Sequence, residues 1–223
     1  MNAGFSNLTT LKQNVLAPAL VAATDYDARL TAIGLGVAKS FDNYCNREFM
    51  YGAGIQEVFT GDRPFWFTRR PLVTQFTKVE LRYFRADAWT DISGQPLAAD
   101  EEKGMIHFGY TLGRNPLQVR LTYNGGFWWP QKDAGEAGYP DAVPADITTN
   151  AAGLDPAKFL LPADLAFAFF MQVRKVWESV DKVGDKISEV GSNTRQPSEA
   201  LAGLDLIPEV KAVLDGYKRY QLT

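Results

Sequence analysis

One cysteine, Cys45, and one histidine, His107, are all that 223 residues provide of these two side chains. A lone thiol excludes an internal disulfide framework and any multi-cysteine zinc site, and a lone imidazole removes most histidine-based metal and triad chemistry. No G-x-S-x-G or comparable nucleophile motif accompanies them. His107 sits between Ile106 and Phe108 in a short predicted strand, so its ring is expected to point away from its apolar neighbours, toward solvent. Cys45 falls near the end of a predicted helix, where the dipole disfavours a thiolate and a small buried filler is expected. Excess charge is missing too: 23 Lys+Arg against 26 Asp+Glu leave a net charge of -3, with no global attraction to nucleic acid or an anionic membrane. No run approaches the roughly 18 apolar residues of a membrane span. The start, Met1 to Phe5, lacks the basic and apolar regions of a secretory signal, which predicts an intracellular, reducing compartment.

Weak motifs complete the exclusions. Asp100-Glu101-Glu102 lacks the spaced oxygen ligands and glycine of a calcium loop, and Gly52-Ala53-Gly54 lacks the third glycine, lysine and following helix of a phosphate cradle. Both read as turns. Carboxylates are plentiful, but no spacing singles out an acid and nucleophile pair. The reading therefore assigns no catalytic, cofactor-binding or metal-binding residue and expects a protein that is not an enzyme.

What is present is an ordinary globular composition, 46% hydrophobic and 22% charged, at a length suited to one large domain. Hydrophobic periodicity divides it into helical, β-rich and helical zones. Leu30, Ile33, Val37, Phe41 and Tyr44 predict a helix over 25–46, and Leu8, Leu11, Val15 and Leu16 a shorter one over 8–17 that Pro18 ends. Residues 1–50 thus form an N-terminal helix pair. Residues 51–126 alternate in period two between glycines and prolines, as antiparallel strands do. In 78–83, Val79, Leu81 and Tyr83 share one face and Lys78, Glu80 and Arg82 the other. Residues 127–161 hold four prolines without sustained periodicity and read as a long loop, and 162–223 as C-terminal helices and tail, with helices over 163–183 and 207–220. The expected fold class is α+β: a helical bundle, made of the N-terminal pair and a long C-terminal helix, with a small inserted antiparallel β-sheet domain.

Two features stand out. Arg63, Arg69, Arg70, Lys78, Arg82 and Arg85 face only Glu80 in local sequence, a basic group that suits phosphates, an acidic protein surface or simply an exposed strand face. Phe127-Trp128-Trp129-Pro130 opens the long loop, where Trp128 and Trp129 either bind a sugar or partner protein or pack beneath the loop.

The order of parts resembles the head-tail connector, or adaptor, proteins of tailed bacteriophages. The resemblance rests on Tyr44-Cys45-Asn46-Arg47-Glu48-Phe49 closing the helix pair, Glu57-Val58-Phe59-Thr60-Gly61, Arg70-Pro71-Leu72-Val73, Val119-Arg120-Leu121-Thr122-Tyr123-Asn124-Gly125-Gly126, and Leu161-Pro162-Ala163-Asp164-Leu165 opening a helix. The family passes more directly from the Tyr-x-Gly-Gly strand to the Pro-Ala-Asp helix, so 127–161 reads as an insertion in a single adaptor domain spanning 1–223. The resemblance implies a structural virion protein without cofactors, made in the bacterial host cytoplasm and located in the neck. Copies would form a homo-oligomeric ring, a dodecamer in many relatives, below the portal. That ring would extend the channel through which viral DNA passes without sequence specificity, and would dock a neck or tail-completion protein, with no membrane contact. Tyr217, Arg219, Tyr220 and Leu222 are then the expected portal contacts, and Arg69, Arg70, Arg82, Arg85, Trp128 and Trp129 candidate subunit or partner contacts. The competing expectation is an accessory module of a phage tail or capsid that binds carbohydrate or protein through its aromatics.

Overall fold

A computed structural model describes residues 2–61, 65–94, 98–107, 118–149, 153–189 and 205–219, with backbone alone described over 180–189. The chain divides into two compact units, each assembled from separate stretches.

The first unit comprises Met1–Asn46, Trp129–Ala142 and Leu161–Thr223. Its helices are α1 (Leu8–Val15), α2 (Asp27–Cys45), α4 (Ala163–Glu189) and α5 (Pro208–Asp215). Asn7 starts α1 by accepting the Thr10 amide at 2.8 Å, which satisfies one of the donors orphaned at a helix N-terminus. Asn46 ends α2 in the left-handed conformation, φ 50°, that asparagine tolerates better than most residues. The helices meet over an aromatic centre. The ring of Phe5 lies 5.8 Å from Phe41, 5.3 Å from Phe169 and 5.3 Å from Trp129. Leu11, Leu30, Val37, Leu165, Val173, Val210 and Leu214 are buried around it, and each such side chain stabilises the fold by roughly 1.5–3 kcal/mol relative to exposure. Glycine permits the closest approach: at Gly4, φ 91°, an added Cβ would lie 2.6 Å from the Gly34 carbonyl oxygen.

The second unit comprises Arg47–Trp128 and Val143–Leu160. Strands β1 (Gly52–Thr60), β2 (Phe65–Phe67), β3 (Val73–Arg82), β4 (Thr90–Asp91), β5 (Ala98–Asp100), β6 (Met105–His107) and β7 (Gln118–Gly125) form two antiparallel sheets, followed by the short helix α3 (Ala145–Thr149). The larger sheet runs in the order β1, β7, β3, β4 and the smaller β2, β6, β5. Alternation along β7 turns Val119, Leu121 and Tyr123 inward. They share a core with Val79 and Leu81 of β3, and with Trp66 and Ile106 from the smaller sheet.

This architecture corrects the expected fold class. The protein is α+β with substantial β structure, and not a helical bundle with a small inserted sheet: seven strands in two sheets form the framework of one of its two units, and three of the five α-helices among the described residues have eight residues or fewer. Strands as short as Thr90–Asp91 and Ala98–Asp100 leave no periodic signal, whereas amphipathic helices leave a strong one. Sequence periodicity therefore overstates the helical part. Segment 127–161 is shared between the units, Trp129–Ala142 in the first and Val143–Leu160 in the second, and carries α3 and a 3-10 helix at Pro156–Phe159.

Candidate partner-contact surfaces

The basic residues of the second unit separate into two groups. Arg69 and Arg70 meet at Glu48: Arg70 Nη2 lies 2.9 Å and Arg69 Nη1 3.6 Å from its carboxylate. Arg70 Nη1 also donates to the Met50 carbonyl, and the backbone amide of Arg69 donates to Glu57 Oε1 at 2.9 Å. Glu57 also accepts the phenolic proton of buried Tyr123. Burial, and then the neighbouring Glu57 charge, push the Tyr123 phenol well above its ordinary pKa, so it remains a neutral donor. These arginines are tied into the fold by carboxylates distant in sequence. Arg63 lies outside the described residues.

The second group occupies the outer face of the larger sheet. Val58, Arg120, Glu80 and Asp91 align across four strands, beside the row Thr60, Gln118 and Arg82. Glu80 is buried, 4% exposed, although sequence alternation places it on the polar face. Arg120 Nε at 2.7 Å and Lys78 Nζ at 2.8 Å compensate its charge. The hydrogen bond from Arg120 holds the Glu80 pKa below the ordinary carboxylate value, against the opposing effect of burial. The Trp89 ring lies within cation-π reach of two guanidinium groups, 4.6 Å from Arg82 and 4.5 Å from Arg120. Arg82 donates from Nε to Gln118 Oε1 at 2.8 Å and from Nη1 to the Arg85 carbonyl at 3.2 Å. The structure thus joins Arg82 and Arg85 to Trp89 and Arg120, which sequence reading missed: the residues are adjacent only through strand pairing.

The C-terminal candidates lie in the first unit. Tyr217 donates its phenolic proton to Asp164 Oδ1 at 2.8 Å, and the Arg219 amide donates to the Cys45 carbonyl at 2.9 Å. Partial burial, with that bond to Asp164, raises the Tyr217 pKa. Between them Lys218 caps the Tyr44 ring at 4.1 Å and pairs with Asp215 at 2.7 Å. Tyr220 and Leu222 lie outside the described residues.

The two tryptophans do not form one platform. Trp129 is buried against Phe5 in the first unit. Trp128 is half-buried in the second, and its amide donates to the Phe159 carbonyl at 2.6 Å. His107 is half-buried and Cys45 is buried.

A polar cluster around Asp146, at the start of α3, has no counterpart in the sequence reading. Tyr51 donates to its carboxylate at 2.8 Å, Asn124 at 3.1 Å, and Thr74 donates through its hydroxyl. Burial opposes ionisation of Asp146, yet these donors prevail and hold its pKa below the usual aspartate value. The donors come from three distant segments, so no local motif announces the cluster. Among the described residues no three metal-capable side chains converge, and no helix is long and apolar enough to cross a membrane.

No protein-family profile matches this chain, and no curated protein does. Two of the solved structures that share its fold come from gene transfer agent (GTA) particles. One is a chain in the neck of an empty GTA particle computed with C6 symmetry, 14% identical, TM-score 0.53, with 97% of this chain and 90% of that chain covered. The other is a chain in the virion of a native GTA particle, 15% identical, TM-score 0.54, with the same coverage. The protein therefore has the fold of a GTA neck component along nearly its whole length.

Proposed function

We propose that this protein is a structural subunit of the neck of a phage-like particle. In this reading its copies close into a ring below the portal, extend the DNA channel and present a docking platform for the next neck or tail protein. The observation that carries it is the fold match, which spans 97% of this chain and 90% of a chain from a particle neck. A likeness confined to a common helical hairpin or a small sheet would carry far less. The C6 symmetry of that neck supports a closed arrangement of copies.

A ring subunit needs two different lateral surfaces that match head to tail. Leu35 on α2 is 47% exposed and Phe167 on α4 is 64% exposed, and large apolar side chains held in water suit such contacts. The role requires no active site. DNA sliding through a lumen needs no sequence recognition, consistent with a chain of net charge -3 in which Arg70 and Arg120 are engaged by its own carboxylates. The carbohydrate-binding alternative loses its platform with Trp129 buried.

The deciding experiment is quantitative mass spectrometry of purified particles that encode this chain, normalised to the portal protein. About one copy per portal subunit is expected for a matching ring. Absence from particles overturns the reading.

A further inference from the structure

The hairpin joining β3 to β4 carries two of the candidate contacts, Arg82 and Arg85, for which the neck reading names no partner chemistry. Its loop is held by Trp89, whose ring lies 4.6 and 4.5 Å from the Arg82 and Arg120 guanidinium groups, and by Asp87, which accepts the Phe84 amide at 2.9 Å. Contact with the ring leaves the guanidinium charge in place, so the same arginine can hold the loop and attract an anionic group. The two arginines differ in charge balance. Arg120 is committed to Glu80 at 2.7 Å, whereas Arg82 donates to neutral oxygens, those of Gln118 and of the Arg85 carbonyl. Arg85 is exposed, and its side chain makes no ion pair among the described residues. Beside them Phe84 is 56% exposed. Two cationic side chains without a carboxylate partner and one exposed aromatic ring therefore sit on a loop whose conformation is already fixed. Binding there forgoes much of the ordering cost that weakens contacts on mobile loops.

We propose that Arg82, Phe84 and Arg85 form a docking site for an acidic segment of another protein, one that sets an apolar side chain beside its carboxylates. Charge complementarity selects the acid, and Phe84 selects the apolar neighbour; arginine and aromatic residues are enriched where protein interfaces concentrate their binding energy. The site favours isolated carboxylates over a nucleic-acid backbone. Asp91, half exposed, and Asp87 lie on the same hairpin, where closely spaced phosphates would meet them. The inference goes beyond the neck reading and does not depend on it.

The test is calorimetric titration of the full chain with the synthetic peptide Gly-Glu-Glu-Phe-Glu-Glu-Gly, its Gln-for-Glu analogue and a short oligothymidylate. Saturable binding of the Glu peptide is expected, weakened by added salt and lost in the Gln analogue. Arg85→Gln and Phe84→Ser should each weaken it roughly fivefold or more, whereas Arg69→Gln should not. Both substituted side chains are exposed, and unchanged thermal unfolding confirms that each variant remains folded. Tighter binding of the oligothymidylate than of the peptide overturns the proposal in favour of a nucleic-acid surface. Absence of peptide binding, or equal binding by the Arg85 and Phe84 variants and the parent, overturns it outright.

Discussion

Gln172 on α4 accepts a hydrogen bond from the Ile207 amide at 3.1 Å, while its own amide donates to the Asp205 carbonyl at 3.1 Å. The side chain is fully buried. One amide thus satisfies two backbone groups just ahead of α5. Gln172→Leu keeps the volume but removes both partners, which should destabilise the protein by about 1–3 kcal/mol. Urea unfolding measures this, and an unchanged midpoint would mean that the clasp contributes nothing.

Two glycines of α2, two residues apart, should respond with opposite sign. A methyl group on Gly34 would press into the Ala3 carbonyl oxygen, a backbone atom, so Gly34→Ala should cost about 1–3 kcal/mol. Gly36 has open space around its Cβ position, and Gly36→Ala should stabilise by about 0.5–1 kcal/mol through helix propensity. Thermal melts of the two variants decide the matter; equal shifts would refute the close approach.

Asp146 makes an acid-sensitive contribution. Its folded pKa is depressed, so the stability it supplies is complete above the unfolded carboxylate value and lost as pH falls through the folded one. Asp146→Asn should lower stability at neutral pH by up to about 1 kcal/mol, allowing for partial exposure, and flatten the decline below about pH 4. Denaturation midpoints at neutral and acid pH provide the check. Parallel curves for parent and variant would remove Asp146 from the account.

Removing residues 220–223 should leave the fold intact, because the contacts that hold the C-terminal segment, Tyr217 to Asp164 and Arg219 to Cys45, precede the cut. Under the neck reading, co-sedimentation with portal particles should be lost. Retained co-sedimentation would place the portal contact elsewhere.

Phe167→Glu tests ring closure. An exposed side chain tolerates the substitution in the isolated subunit, but a carboxylate buried between copies without a partner is costly. The variant should stay folded and fail to assemble in particles, as read by its copy number relative to the portal protein. Normal incorporation would exclude this face of α4 from the subunit contact.

Sequence periodicity identified those features whose determinants are local. Leu30, Val37 and Phe41 mark the buried side of α2, and Val119, Leu121 and Tyr123 that of β7, because each pattern needs only the repeat of its own element. Glu80 shows where this stops: alternation assigns it to solvent, and only strand pairing with Arg120, forty positions away, explains its burial. The Arg82, Trp89 and Arg120 group and the Asp146 cluster were hidden for the same reason. Most strands were legible, but those as short as Thr90–Asp91 and Ala98–Asp100 carry no pattern, and the extent of the β structure was underread. In 127–161, a five-residue helix and a four-residue 3-10 turn likewise fall below the length at which periodicity can be seen.

The interleaving of the two units sets an order of completion during synthesis. The second unit ends at Leu160, so both sheets and α3 have all their residues when more than sixty positions remain untranslated. The first unit begins at the N-terminus but stays incomplete: Phe5 awaits Phe169, and Cys45 awaits Arg219. α1 and α2 therefore leave the ribosome before α4 and α5, the helices that complete the cover of their apolar faces.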